Sequence, residues 1–250
     1  MSSFPSLSFN LYLVWKKILR TRVFFFFGIT FVLFLGFLWW LADFNQARRF
    51  FFFLFPYIFL LMSQDIFKDE IESGSLENVL FLSFNFRRYL FEKNFSLFLI
   101  GSSFSAILFF PFLLGSILKD IFTPLILSSF FMGLMVGLYY LSLAGWLGFR
   151  LRSGANILAI ILGQVFLFLV LMVSLTSSSS ARDLLDLIFS AQPKNNQQAI
   201  FLYIFIALWP NVLTTQAYSA LNLRLEIILL ITLFFGFQSW HLRRLELKRE

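Results

Sequence analysis

Residues 95–118 read FSLFLIGSSFSAILFFPFLLGSIL, and residues 124–149 read PLILSSFFMGLMVGLYYLSLAGWLGF. Neither stretch contains an Asp, Glu, Lys or Arg. Both exceed the ~20 apolar residues with which an α-helix crosses a ~30 Å hydrocarbon core. Only a short turn around Lys119 and Asp120 separates them. This pattern predicts two membrane-spanning helices that form an antiparallel hairpin.

The composition of the whole chain agrees with lipid as the surrounding solvent. Of the 250 residues, 59% are hydrophobic, 13% are charged and 39 are Phe, whereas a soluble domain carries about 25% charged residues. Basic residues that flank membrane spans account for the net charge of +7. We therefore expect the lipid bilayer, and no nucleic acid, as a partner. The chain has no Cys, so disulfides and thiol chemistry play no part in the argument.

Four further apolar runs complete an expected all-α architecture with six transmembrane helices. They are residues 23–42, 50–63, 157–175 and 225–240. The run at 50–63 is short for a span, so it must tilt little or also use Ile66 and Phe67. Residues 199–213 are apolar as well, but Pro210 interrupts them, and we expect a re-entrant or interfacial element there.

The remaining segments complete a single transmembrane domain that covers residues 1–250. The expected parts are an interfacial helix and basic N-terminus at 1–22, a charged loop at 64–93, an external segment at 177–224 and a basic tail at 241–250. With six spans, most of the 20 Lys and Arg residues share one side with both termini, whereas a seventh span at 199–213 would divide them evenly. Because basic residues concentrate on the cytoplasmic side, we expect a multi-pass protein of the inner (cytoplasmic) membrane with both termini in the cytoplasm.

The most distinctive polar stretch, residues 67–80, reads FKDEIESGSLENVL. Gly74 permits a break in backbone direction. After it, Leu76, Val79 and Leu80 have the i, i+3, i+4 spacing of one apolar stripe on a short amphipathic helix. Such a helix can bind in a groove of a partner protein. The alternative reading of the same residues is that the acidic side chains only form a solvated face.

This stretch resembles the first cytoplasmic loop of the type-2 permeases of ABC transporters. The positions that match the family pattern are Glu72, Gly74, Ser75, Leu76, Glu77 and Lys93. The family usually has a Pro where this chain reads Ser-Phe-Asn at 83–85, so the turn before Arg87 differs. The order of an N-terminal surface helix, this loop, an external helical segment before the last span and a basic tail matches over nearly the whole chain.

The resemblance implies the membrane-spanning subunit of an ATP-driven exporter, which dimerises with a second copy or a paralogue. It implies that a separate ATPase subunit carries ATP and Mg²⁺ and that this chain carries no cofactor. The ATPase contacts that it implies are Glu70, Glu72, Gly74, Ser75, Leu76, Glu77 and Leu80. Within the family, the Leu-Arg-Ser-Gly-Ala pattern at 151–155 is faintly similar to the haem-exporter permease of cytochrome c maturation.

The residues themselves disfavour an internal energy source and an enzyme. The spans have no ionisable residue away from their ends, where a proton- or sodium-coupled transporter needs one, and the chain lacks a G-x-x-x-x-G-K-[ST] phosphate loop. The single His, His241, lies among basic residues after the last span, so we expect no metal or catalytic centre. Gly133, Gly137 and Gly145 form a small-residue face for helix packing or a dimer interface. The alternative function is a membrane scaffold or assembly factor that transports nothing.

Overall fold

The computed structural model describes residues 43–64, 86–151, 154–177, 196–215 and 221–247, together with isolated positions before residue 43. Within these ranges the chain is helical and contains no strand, which confirms the expected all-α class for this part of the chain. In chain order, its helices are α1 (Phe44–Leu54), α2 (Tyr57–Met62), α3 (Phe86–Leu118), α4 (Pro124–Gly148), α5 (Ala155–Ser177), α6 (Asn196–Leu208), α7 (Val212–Thr215) and α8 (Leu221–Leu247).

Two helices are long and apolar enough to cross a membrane, judged by length and composition. They are α3, over Tyr89–Leu118, and α4, over Pro124–Gly148. Parts of α5 and α6, Ala155–Val170 and Ala199–Leu208, are apolar but shorter. The apolar runs that the sequence indicated at 157–175 and 225–240 lie within α5 and α8.

The helix that contains the third expected span starts before the apolar run at 95–118. Residues 86–93 were expected in the charged loop, but they form the first turns of α3 and continue without a break into its apolar part. Arg, Glu and Lys are good helix formers, so the charged residues at 86–93 can continue a helix even where they contact water. The Lys93 ammonium donates a hydrogen bond to the Tyr89 hydroxyl one turn earlier (3.0 Å) and lies 5.4 Å from that ring centroid. The segment that connects α2 to α3 is therefore residues 65–85.

The second expected span, residues 50–63, is two helices rather than one. A turn at Phe55 and Pro56 separates α1 from α2. The break occurs at Pro56 because proline has no N–H to donate to the carbonyl of Phe52, four residues earlier. Phe55 and Pro56 nevertheless keep right-handed helical angles, with φ −62° and ψ −28° for the first and φ −60° and ψ −23° for the second. The two helices therefore continue in roughly one direction as a kinked rod.

Trp15 is one of the isolated residues described before residue 43. Its ring stacks on Phe104 with a centroid distance of 5.7 Å. This contact is with the middle of α3, whereas an interfacial helix at 1–22 was expected near the ends of the spans. Stacking of two aromatic rings contributes about 0.5–1.5 kcal/mol beyond burial, which favours this position for the indole ring.

The other helices pack around α4. It contacts α1, α2, α3, α5, α7 and α8. Its contact with α3 is aromatic, since the ring centroids of Phe109 and Phe130 lie 4.4 Å apart. Towards α6 and α8 the contact involves Tyr140, Ile206 and Ile227, all of them almost fully buried. The position of α4 therefore determines where the remaining helices lie.

Ring contacts establish the relative directions of the helices. The first residue of α1 packs on Phe112, near the end of α3, whereas Phe59 of α2 packs on Phe98 in the first half of α3. Trp146, near the end of α4, packs on Phe237 in the second half of α8. The end of α2, the start of α3, the end of α4 and the second half of α8 thus share one end of the bundle. We call it the loop end, because residues 65–85 connect α2 to α3 there.

Glycines allow α2 to lie directly against α4. A Cβ atom at Gly133 would overlap the ring of Phe55, and one at Gly137 would overlap the ring of Phe59. Both rings are fully buried. The small-residue face of α4 is therefore covered at these positions by aromatic side chains of the same chain.

We expect Gly137→Ala to lower the free energy of unfolding by about 1–3 kcal/mol, because the added methyl group displaces the Phe59 ring in a filled core. The matched control is Gly163→Ala on α5, where a Cβ meets nothing within 4 Å. That control should be neutral or stabilising by up to ~1 kcal/mol, since Ala favours helix over Gly. Thermal unfolding of the purified protein in detergent measures both, and equal melting temperatures would contradict the packing described here.

Candidate functional site

The described helices bury neutral polar side chains and expose apolar ones. On α5, Asn156 and Gln164 are 2% and 4% exposed, whereas Phe166 is 70% exposed. On α8, Gln238 is fully buried while Leu229 is 61% exposed. Soluble proteins show the opposite preference. Such a pattern is typical of helices that face hydrocarbon, where each polar group must find its partner inside the protein.

Gln164 lies at the centre of a hydrogen-bonded chain of side chains. Its Oε1 accepts a hydrogen bond from the Tyr57 hydroxyl (2.7 Å), and its Nε2 donates to the Tyr140 hydroxyl (2.8 Å). Nε2 also donates to the backbone carbonyl of Leu208 at 3.2 Å. The Tyr140 hydroxyl in turn donates to Oδ1 of Asn211. We call Tyr57, Tyr140, Gln164 and Asn211 the polar centre; it joins α2, α4, α5 and the turn after α6.

The polar centre satisfies carbonyls at the break between α1 and α2. The carbonyls of Phe52 and Phe53 belong to the last turn of α1, where backbone oxygens have no helical partner. Asn211 Nδ2 donates to the Phe53 carbonyl (2.7 Å), and the Thr214 hydroxyl lies 2.7 Å from the Phe52 carbonyl. Both donor side chains are fully buried. Asn211 therefore supplies a hydrogen bond beside Pro56, and the Thr214 hydroxyl places its single proton between the Phe52 carbonyl and the Asn211 carbonyl, which is 2.6 Å away.

The break after α6 is satisfied in the same way. A short turn that includes Pro210 separates α6 from α7, so the interruption expected from this proline is present. At the end of α6, the Ala207 carbonyl accepts a hydrogen bond from the Tyr139 hydroxyl (2.5 Å). The Leu208 carbonyl accepts the bond from Gln164 described above. Two proline breaks thus face each other, and the side chains around them pair the backbone oxygens of both.

The chemistry of the polar centre is that of a structural joint. Its members are two amides and two tyrosine hydroxyls, which bond to one another and to backbone carbonyls of the broken helices. An unpaired polar group in hydrocarbon costs several kcal/mol, so these hydrogen bonds stabilise the two broken helices against each other. Among the residues that the structure describes, no group of three or more His, Cys, Asp or Glu could hold a metal ion.

A second set of buried amides lies at the loop end. Asn94 Nδ2 donates to Gln238 Oε1 at 3.2 Å, and Gln238 Nε2 donates to the Ser142 carbonyl at 2.7 Å. Gly145 makes this approach possible, because a Cβ atom there would lie 2.5 Å from Gln238 Nε2. The start of α3 is thereby linked through α8 to the last two turns of α4.

Asn156, at the start of α5, makes the corresponding link for α2. Its Nδ2 donates to the Ala144 carbonyl of α4 at 3.2 Å and lies 3.5 Å from the carbonyl of Ser63, directly after α2. Asn156 is 2% exposed. We call Asn94, Gln238 and Asn156 the amide clamp.

The residues expected from the sequence to be functional fall into three groups. The ATPase contacts lie outside the described residues; they are Glu70, Glu72, Gly74, Ser75, Leu76, Glu77 and Leu80. Lys93, which also matches the permease pattern, lies within α3 and contacts Tyr89. Gly133, Gly137 and Gly145 each lie against a side chain of the same chain.

The sequence analysis missed both the polar centre and the amide clamp. Gln164 was a usable signal, because a lone amide in an apolar run needs an internal partner. Tyr57 and Asn211 each follow a proline directly, so the two prolines also marked the breaks. The link between them depends on tertiary contacts between distant segments, which spacing in one sequence does not reveal.

A comparison with models of known protein families gives no match. A comparison with curated proteins gives no significant match either.

Replacing Tyr140 by Phe should lower the free energy of unfolding by about 1–3 kcal/mol, because Asn211 Oδ1 and an amide N–H of Gln164 lose their buried partner. The matched control is Tyr203→Phe on α6, whose side chain is 38% exposed and lies outside the polar centre. That change should stay within ~0.5 kcal/mol. Thermal or denaturant unfolding in detergent compares the two, and a Tyr140 variant as stable as its control would contradict the network.

A double-mutant cycle tests the pairing at the first break. Pro56→Ala restores an N–H that can donate to the Phe52 carbonyl, and Thr214→Val removes the hydroxyl that now lies against it. We expect Thr214→Val to cost about 1–2 kcal/mol alone and less in the Pro56→Ala background, with a coupling of about 0.5 kcal/mol or more. Strictly additive costs would show that this carbonyl does not depend on Thr214.

Proposed function

We propose that this chain is the membrane-spanning subunit of an ATP-driven exporter of the ABC type-2 class, working with a separate ATPase subunit. The observation that carries the proposal is the sequence of residues 67–80, which resembles the ATPase-contacting loop of these permeases. In this chain it belongs to the segment that connects α2 to α3 at the loop end of the bundle. The permease dimerises with a second copy or a paralogue, as the resemblance implies.

Six membrane spans are part of this proposal. The apolar lengths of α3 and α4 and the exposed apolar faces of α5 and α8 support it. The kinked rod of α1 and α2 would extend about 28 Å at ~1.5 Å per residue, close to a ~30 Å hydrocarbon core. Residues 23–42 supply the remaining span. The segment from α6 to α7 breaks at Pro210 and turns beside Pro56, which favours a re-entrant element over a seventh span.

The neutral interior supports an external energy source. From Asn94 onward α3 contains no Asp, Glu, Lys or Arg, and neither do α4 and α5. Glu226, near the start of α8, is only half-buried. Ion-coupled transporters bind their coupling ion at ionisable or unwound positions within the spans, but the unwound positions here are already paired by the polar centre. ATP and Mg²⁺ on a partner subunit would supply the energy.

The arrangement of helix ends supports a cytoplasmic location for the segment at 65–85. The two attachments of this segment, residues 149–151 and the second half of α8 share the loop end, and a basic tail follows α8 in the sequence. Basic residues concentrate on the cytoplasmic side of membrane proteins. Both termini and the ATPase-binding surface would then face the cytoplasm of the inner membrane.

Purification of the tagged chain from its native membrane should recover a P-loop ATPase. Replacing Glu72 and Glu77 by Gln should reduce that recovery, because a docking surface loses two charges while the described helices are unchanged. The matched control is Asp120→Asn at the opposite end of the bundle; Asp120 has a positive φ of 54°, which Asn tolerates. Equal recovery from all variants would contradict the docking surface, and absence of any ATPase would favour a scaffold or assembly factor.

The naturally Cys-free chain allows a direct test of sidedness. A single cysteine introduced as Ser75→Cys should resist a membrane-impermeant maleimide added outside intact cells, whereas one introduced as Lys119→Cys should react. Both positions should react after the membrane is opened. External labelling of the Ser75 position would remove the cytoplasmic ATPase surface and the exporter proposal with it.

A further inference from the structure

The segment at 65–85 is attached to the bundle at both of its ends. On one side it follows Ser63 and Gln64, directly after α2, and on the other side it precedes Phe86, the first residue of α3. Both attachments belong to the described residues, and the contacts around them link the ends of this segment to particular helices.

The attachment at α2 leads to α4. The Ser63 hydroxyl donates to the Leu60 carbonyl (2.5 Å), while the Ser63 carbonyl lies 3.5 Å from Asn156 Nδ2. The same nitrogen donates to the Ala144 carbonyl. The Asn156 carboxamide is held in place, since its Oδ1 accepts a hydrogen bond from the Ile157 backbone N–H at 2.9 Å. One amide thus bridges the end of α2 and the backbone of α4.

The attachment at α3 leads to the same turn of α4. Asn94 donates both to the Leu90 carbonyl (2.9 Å) and to Gln238, which in turn donates to the Ser142 carbonyl. Asn94, Gln238 and the Ser142 side chain are all at most 2% exposed. Ser142 and Ala144 belong to one turn of α4, and Gly145 in that turn makes room for the Gln238 amide.

We infer that the turn of α4 at 142–145 is where displacement of residues 65–85 is passed to the membrane helices, with Asn156 and Gln238 as the positioning residues that transmit it. This inference rests on the proposed function and adds the route of coupling. It follows from the two hydrogen-bonded bridges that end in this turn, one from Ser63 through Asn156 and one from Asn94 through Gln238.

The next polar residue on α4 extends the route inward. Tyr140 lies directly before this turn on the same helix and belongs to the polar centre. A shift of α4 at 142–145 would therefore also move Tyr140, and through its hydrogen bonds to Gln164 and Asn211 it would change the geometry at both proline breaks. Packed elements with discrete arrangements carry coupling of this kind between distant sites.

The test uses the full Cys-free chain with its co-purified ATPase and spin labels on Ser103→Cys and Thr232→Cys. Both positions are exposed, on α3 and α8, and both hydroxyls bond only within their own helices, to Leu99 and Leu229. Pulsed electron paramagnetic resonance measures the distance between the labels with and without ATP. The variants are Gln238→Leu and Asn156→Leu, which remove the amides at similar volume.

Gly145→Ala provides a milder variant in case the Leu substitutions prevent folding, because it only displaces the Gln238 amide. Its matched control is Gly236→Ala on α8, where a Cβ meets nothing within 4 Å. Asn196→Leu, at an exposed position of α6, is the control for the amide replacements. Controls should behave as the unsubstituted chain in every measurement.

We expect the clamp variants to recover the ATPase as well as the unsubstituted chain does. In the same variants, the change in the label-to-label distance distribution that ATP causes should fall about twofold or more. An undiminished change in these variants would overturn the inference and leave the proposed function standing. Loss of ATPase recovery in the variants would also overturn it, since the amides would then serve docking. If the unsubstituted chain binds no ATPase or shows no ATP-dependent change, the proposed function itself fails.

Discussion

The need to pair the backbone carbonyls at two proline breaks is the constraint on which this structure depends. In water a broken helix is tolerated because solvent pairs its last oxygens, but in hydrocarbon only the protein can do so. Asn211 and Thr214 serve the break at Pro56, while Tyr139 and Gln164 serve the break at Pro210. Each break therefore needs side chains from other helices. This mutual dependence places α1, α2 and the segment after α6 together.

The geometry of α4 allows these contacts to coexist. Its glycines admit aromatic rings from α2 on one face, and its tyrosines reach the breaks on another. At the loop end its backbone oxygens accept bonds from Asn156 and Gln238. One helix thus carries apolar packing, the polar centre and the amide clamp, and no charged residue is required in it.

The sequence analysis was most successful where one local property decides the structure. Apolar length predicted the helices α3 and α4, and Pro210 predicted a break. It placed residues 86–93 in the charged loop, whereas they form the first turns of α3, and it did not see that Pro56 divides residues 50–63. The polar centre and the clamp could not be read from spacing, since their hydrogen bonds join residues far apart in the chain. The docking residues at 70–80 stay predictions.

The reciprocal pairing of the two breaks also bears on biosynthesis. Pro56 leaves the ribosome long before residues 211 and 214. The carbonyl oxygens of Phe52 and Phe53 are therefore synthesised well before the Asn211 and Thr214 side chains that lie against them in the fold. A chain that stops before α6 would leave these oxygens without the side-chain donors that pair them in the complete fold.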